Sequence, residues 1–112
     1  MEKVNKKIRK YEKFIIDLLT TIKGSSKDTL VIADKENRHY QLLYVGLDSR
    51  NAYSFNVRIH FHLREDGVIC LYENRTEIEV GDILMEQGVP KSDILAGFLP
   101  QSARQYAGYA IA

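Results

Sequence analysis

Apolar and polar positions recur along this chain with two different periods, and each change of period marks a new element. Near the N-terminal end, Val4, Ile8, Tyr11, Ile15, Leu18, Leu19 and Ile22 fall at spacings of three and four. That spacing predicts a helix with one apolar face. Lys23 stands in its last turn, and Gly24 follows as a residue suited to the left-handed backbone that ends helices. A helix from Lys3 to Lys23 would run about 30 Å at the usual rise per residue. Its outer face is basic, with Lys3, Lys6, Lys7, Arg9, Lys10 and Lys13 against Glu2 and Glu12.

The period then drops to two. Thr29 to Ala33 is β-branched and apolar, and Asp34-Lys35-Glu36-Asn37 reads as a turn. His39 to Leu47 reads as a second strand, followed by a turn at Asp48-Ser49-Arg50-Asn51. The clearest strand is the third, Tyr53 to Arg64. There Tyr53, Phe55, Val57, Ile59, Phe61 and Leu63 alternate with Ser54, Asn56, Arg58, His60, His62 and Arg64. Strict alternation predicts one packed face and one wet face, with the aromatic rings inward. Glu65-Asp66-Gly67 is a hairpin signal, and Val68 to Glu73 completes a fourth strand.

Beyond Glu73 the pattern changes again. Thr76 and Glu79 have the spacing of a capping box for a short helix that uses Ile78, Ile83 and Leu84 and ends near Gln87. Gly81 allows a later start, at Asp82. Gly88 and Pro90 supply the stop, and residues 91–98 read as irregular or as a short strand. The tail from Gln105 to Ala112 has no charged side chain but holds Tyr106, Tyr109 and Ile111. It either packs on its own sheet or pairs two subunits into a homodimer. The order of elements argues an α+β fold: an N-terminal helix, an antiparallel β meander of about four or five strands, one short helix and a packed C-terminal tail.

Composition adds bounds. The 112 residues are expected to form a single domain, 1–112, able to bury a core without staples. Sixteen Lys and Arg against 15 Asp and Glu leave a net charge of +1, which argues against a strongly basic nucleic-acid coat or an acidic tail protein. Cys70 is the one cysteine, so an intrachain disulfide and a four-thiolate zinc site are excluded. No run approaches the 18 or so apolar residues of a membrane span, and no signal-peptide cleavage pattern follows the basic start. A cytoplasmic protein without membrane contact is the expectation.

Candidate chemistry concentrates on the polar side of the third strand. His60 and His62 project together, about 6.6 Å apart by strand rise, as strand-borne metal-binding pairs do. His39 is the only further histidine, no carboxylate shares the stripe, and Arg58 and Arg64 flank it with positive charge. The plain reading is a solvated or helix-covered polar face; the stripe Arg58-His60-His62-Arg64 can also be read as facing an anion or an acidic partner surface. Glu77, Glu79, Asp82 and Glu86 form an acidic stretch that suits a helix N-terminus. Cys70, between Ile69 and Leu71, reads as a buried thiol. No nucleophile elbow, phosphate-cradling loop or dinucleotide fingerprint occurs, so no catalytic residue, resident metal or cofactor is expected.

The strings HYQLLYVGL (39–47), RIHFHLREDGVICLYENRTEIEVGDILMEQGVPKSDILAGFLP (58–100) and RQYAGYAIA (104–112) closely resemble the XisI family of small cyanobacterial proteins, named as controlling factors for excision of the fdxN DNA element. The resemblance covers essentially the whole chain and includes His60, Thr76, Glu77, Gly88, Pro90, Arg104, Gln105 and Gly108. His62 stands where the family commonly has an acidic residue, Leu99 where a histidine precedes proline, and Cys70 where tryptophan is frequent. These departures weaken the case for a shared metal site. The resemblance implies a non-enzymatic accessory factor that works through an XisH-like partner and beside a site-specific recombinase. The binding surface expected for it is Arg58, His60, Arg64, Glu77 and Arg104. Two other readings stay open: direct DNA binding by the basic helix and the strand stripe, and a small metal-dependent hydrolase or nuclease using His60 and His62.

Overall fold

The computed structural model describes the backbone of residues 2–47 and 49–97, with side chains from residue 5 onward. Helix α1 (Glu2–Lys23) follows the predicted apolar stripe. Tyr11, Ile15, Leu18 and Leu19 are buried, and Ile8, Phe14 and Ile22 are partly so. Gly24, at φ +54°, ends it as expected. Four strands come next: β1 (Thr29–Asp34), β2 (His39–Leu47), β3 (Tyr53–Leu63) and β4 (Ile69–Asn74). Helix α2 (Val80–Glu86), a 3-10 turn (Lys91–Asp93) and β5 (Ile94–Ala96) complete the described chain.

The strands form one sheet in the order β1-β2-β3-β4-β5. The first three pairings are antiparallel, as the meander requires. The last is parallel, with Ile69 opposite Ile94, so the sheet is mixed rather than purely antiparallel. The reason is α2: a helical crossover between β4 and β5 returns the chain to enter the sheet in the same direction. Helix α1 covers one face of the sheet. Its apolar side packs on Tyr40, Leu42, Ile59, Phe61, Leu63, Ile69 and Leu71, and Val80, Leu84, Val89 and Ile94 close the core. Two polar ties fix the helix. Tyr40 donates to Glu12 at 2.5 Å, and Tyr11 donates to Asp93 at 2.6 Å. Lys7 lies 3.0 Å from the same Asp93 carboxylate.

Two irregularities decide what the other face carries. Across β2 and β3, Leu42 pairs with Ile59 but Leu43 pairs with Val57, so Arg58 is an extra residue in β3. Across β3 and β4, His60 pairs with Glu73 but Phe61 pairs with Leu71, so Tyr72 is an extra residue in β4. A one-residue bulge reverses the alternation beyond it. The inward orientation predicted for all six apolar residues of β3 therefore fails at its start. Ile59, Phe61 and Leu63 are buried, whereas Tyr53 is 80% and Phe55 68% exposed.

The capping box is also corrected. Glu79, not Thr76, occupies the N-cap of α2, with no side-chain cap. The Thr76 hydroxyl is committed elsewhere: it donates to Asn74 Oδ1 at 2.6 Å and accepts the Ile78 N–H at 3.2 Å. Asn74 Nδ2 in turn donates to the Ile78 carbonyl, so this segment forms a tight turn off the end of β4. Gly88, at φ +107°, ends α2 where expected. The uncharged tail and Arg104 lie outside the described residues.

Candidate functional site

The bulge at Arg58 builds the site. Leu47 pairs with Tyr53, and an unbroken register from there would bring His39 opposite Phe61, on the helix side. The extra residue shifts the pairing by one, and His39 stands opposite His62 instead, with Gln41 opposite His60. Directly opposed residues of an antiparallel pair project to the same side. Three imidazoles and an amide therefore meet on the face away from α1.

They form a connected set. Gln41 Nε2 lies 3.2 Å from His60 Nδ1, and His60 Nε2 lies 2.9 Å from His39 Nδ1. The amide nitrogen can only donate, so His60 accepts on Nδ1 and donates from Nε2 to His39. The proton of His39 is then left on Nε2. His62 is fixed independently: its Nδ1 donates to the Arg38 carbonyl at 3.1 Å. Arg38 sits in left-handed backbone at φ +59°, and its carbonyl also accepts the Leu63 N–H at 2.9 Å. The rings of His39 and His62 stack at 4.2 Å, and Tyr72, turned onto this face by its own bulge, stacks on His62 at 6.4 Å.

Burial, first of all, pushes the His60 imidazole below its ordinary pKa, and the neighbouring His39 and His62 add to it. Burial likewise lowers His62. Both rings are held toward the neutral form that the bonding pattern requires. An open cavity of about 630 Å³ lies over them, lined by Ile32, Asp34, Asn37, His39, Gln41, His60 and His62. It offers neutral donors and acceptors, and Asp34 at its edge is engaged by the Asn37 side chain and backbone.

The residues predicted for the site are divided by this geometry. His60 and His62 share a face as predicted, and His39 joins them. Arg58 leaves the stripe: its guanidinium lies 5.0 Å over the Tyr44 ring, and its carbonyl accepts the Arg75 N–H at 2.7 Å. Arg64 folds onto Asp66 in the β3–β4 hairpin. Glu77 is exposed just beyond Arg75, before α2. The predicted surface thus has two parts, a charged corner at Arg58 and Glu77 and the histidine face. For a metal, the nitrogen ligands on offer would be His39, His60 and His62. Several of their ring nitrogens are spent on hydrogen bonds, and among the described residues no group of three His, Cys, Asp or Glu is arranged to hold an ion. Cys70 is buried, and burial raises its thiol pKa. On α1, Lys13 reaches Asp17 at 3.8 Å and Lys10 lies over the Phe14 ring, while Lys6 and Arg9 are exposed. Among the described residues no helix is long and apolar enough to cross a membrane.

The sequence profile of the XisI protein family matches residues 1–111. The chain belongs to the XisI family. A crystal structure of a XisI-like protein from Anabaena variabilis ATCC 29413 has this fold, with a TM-score of 0.81, at 34% identity over 94% of this chain and 99% of that one. The fdxN element excision controlling factor XisI of the same organism superposes with a TM-score of 0.79 over 95% of this chain and 99% of its own. At 24% identity that likeness is one of fold. No curated protein matches the chain. Within this XisI fold, His39 is the member of the cluster that alternation alone did not place. Its signal was available only through the strand register.

Proposed function

We propose that this chain is an accessory factor in the excision of a DNA element, acting by binding other proteins and not by turning over a substrate. Membership of the XisI family along residues 1–111 carries the reading. The controlling factor that shares its fold supplies the kind of process. The candidate site supports binding: His39, His60 and Gln41 are joined by hydrogen bonds, His62 is tied to the Arg38 carbonyl, and the cavity over them is open. The partner in this reading is an XisH-like protein, with a site-specific recombinase doing the chemistry on DNA.

The partner surface we assign is the charged corner of Arg58 and Glu77, with Arg104 assigned to it on the family resemblance alone. Arg58 is half-buried against Tyr44 and so holds its charge in a defined position. Co-expression with the XisH-like protein, followed by size exclusion with light scattering, tests it. One peak of summed mass is expected, and Arg58→Glu combined with Arg104→Glu should divide it into two. Two peaks from the unaltered pair overturn the reading. Direct DNA binding is less well supported, because Lys7 and Lys13 of the basic helix are engaged by Asp93 and Asp17. It would show as affinity that falls steeply with salt.

A further inference from the structure

Among the described residues, six large apolar side chains are prominently exposed: Leu30, Ile32, Leu47, Tyr53, Phe55 and Tyr72. They are not scattered. Leu30 pairs with Leu43, and Ile32 with Gln41; Tyr53 pairs with Leu47, and Phe55 with Val45. Positions 41, 43, 45 and 47 share one side of β2 with His39, so these five residues lie on the histidine face. Tyr72 contacts His60 and His62 and lies there too. The whole exposed apolar set therefore occupies the sheet face opposite α1.

We propose that two copies of this chain pair through this face, sheet against sheet about a two-fold axis. Two observations select a second copy as the occupant. The first is area. At the exposures found, the six side chains present on the order of 700 Å² of mostly apolar surface, beyond the largest patch usual on a monomer and close to the roughly 800 Å² per partner of a standard interface. The second is charge. A two-fold interface brings each group near its own kind, so a charged centre would repel itself. Here the face carries Leu30, Leu43 and Val57 in its middle rows, with imidazoles, an amide and an aromatic ring at one end and Leu47, Tyr53 and Phe55 at the other. The ionised groups on or beside the face are already engaged, Asp34 by Asn37, Glu73 by Arg75 and Arg64 by Asp66. The histidine set supplies paired donors and acceptors, with the His39 Nε2 proton and the His62 Nε2 lone pair left for the facing copy. This inference does not rest on the proposed partner, whose surface is the Arg58 corner.

The test is the mass of the full chain by sedimentation or light scattering at neutral pH and about 50 µM, well above the micromolar Kd expected at the weak end for an interface of this size. Twice the 12.9 kDa of one chain is expected. Phe55→Asp and Ile32→Asp should each halve that mass with the far-UV circular dichroism unchanged, since both side chains are exposed in the single chain. A monomeric unaltered chain overturns the proposal and leaves the face to residues 98–112 or to a different protein. A dimer that survives both substitutions overturns it as well, because its interface must then lie elsewhere.

Discussion

On the face of the sheet beneath α1, Tyr40, Leu42, Ile59, Phe61 and Leu63 are closed to solvent. On the opposite face the same strands present Leu30, Ile32, Tyr53 and Phe55 to solvent, with three histidines at one end. Both faces are rich in large apolar groups, so hydrophobicity does not distinguish them. What differs is the cover: a full-length helix on one side, and on the other a hydrogen-bonded polar set at one end of an apolar surface. The contrast separates apolar residues that hold the monomer together from apolar residues available for association.

Substitutions on the two faces should reflect this contrast, in decreasing order of effect. Phe61→Ala, under α1, should lower unfolding stability by about 3–5 kcal/mol in urea titration, a large share of what a domain of this size possesses. A loss below about 1 kcal/mol would mean that the covered face is not the core. Tyr40→Phe removes the donor to the Glu12 carboxylate and should cost about 1–2 kcal/mol, read the same way.

Acidification should act on the open face. His60 and His62 have lowered folded-state pKa values, so the unfolded chain takes up protons that the folded chain resists. Stability is then fully present above about pH 6.5 and declines as the pH falls through that value. Arg38 and Arg64 reinforce the effect at His62, and Glu73 stands opposite His60. Asp34 and Asp66 are lowered carboxylates and contribute their loss only at more acid pH. Urea midpoints at pH 7.5 and 5.5 should differ for the unaltered chain, and the difference should shrink in a His60→Gln, His62→Gln variant. An unchanged difference would remove the histidines as its cause. The smallest effect is expected for Ile32→Ser, within about 0.5 kcal/mol when measured at concentrations too low for association.

Much of this was legible in the sequence. The helical stripe of α1, the bounds of β2, the stop at Gly88 and the shared side of His60 and His62 all follow from local periodicity. The parallel docking of β5 was not legible, because three residues, Ile94 to Ala96, carry no period. The site itself was only half visible. Apolar and polar residues alternate without a break from Tyr53 to Arg64, although the strand's own faces reverse at Arg58. Alternation records neighbours within a strand, whereas a bulge is a property of two strands in register. For that reason Tyr53 and Phe55 were expected inward, and His39 was not expected beside His62.

The extra residue at Arg58 also changes what kinds of mutation this fold can absorb. A substitution there alters one side chain on Tyr44. Deleting the residue would join Val57 directly to Ile59 and remove the bulge, leaving Leu42–Ile59 and His39–His62 paired as they are. Tyr53 and Phe55 would keep their face, and the three imidazoles would stay together. The bulge is therefore a place where β3 can lose a residue without re-sorting its two faces. Loss of the Arg58 codon would remove the guanidinium from the Tyr44 ring and leave the histidine face in register.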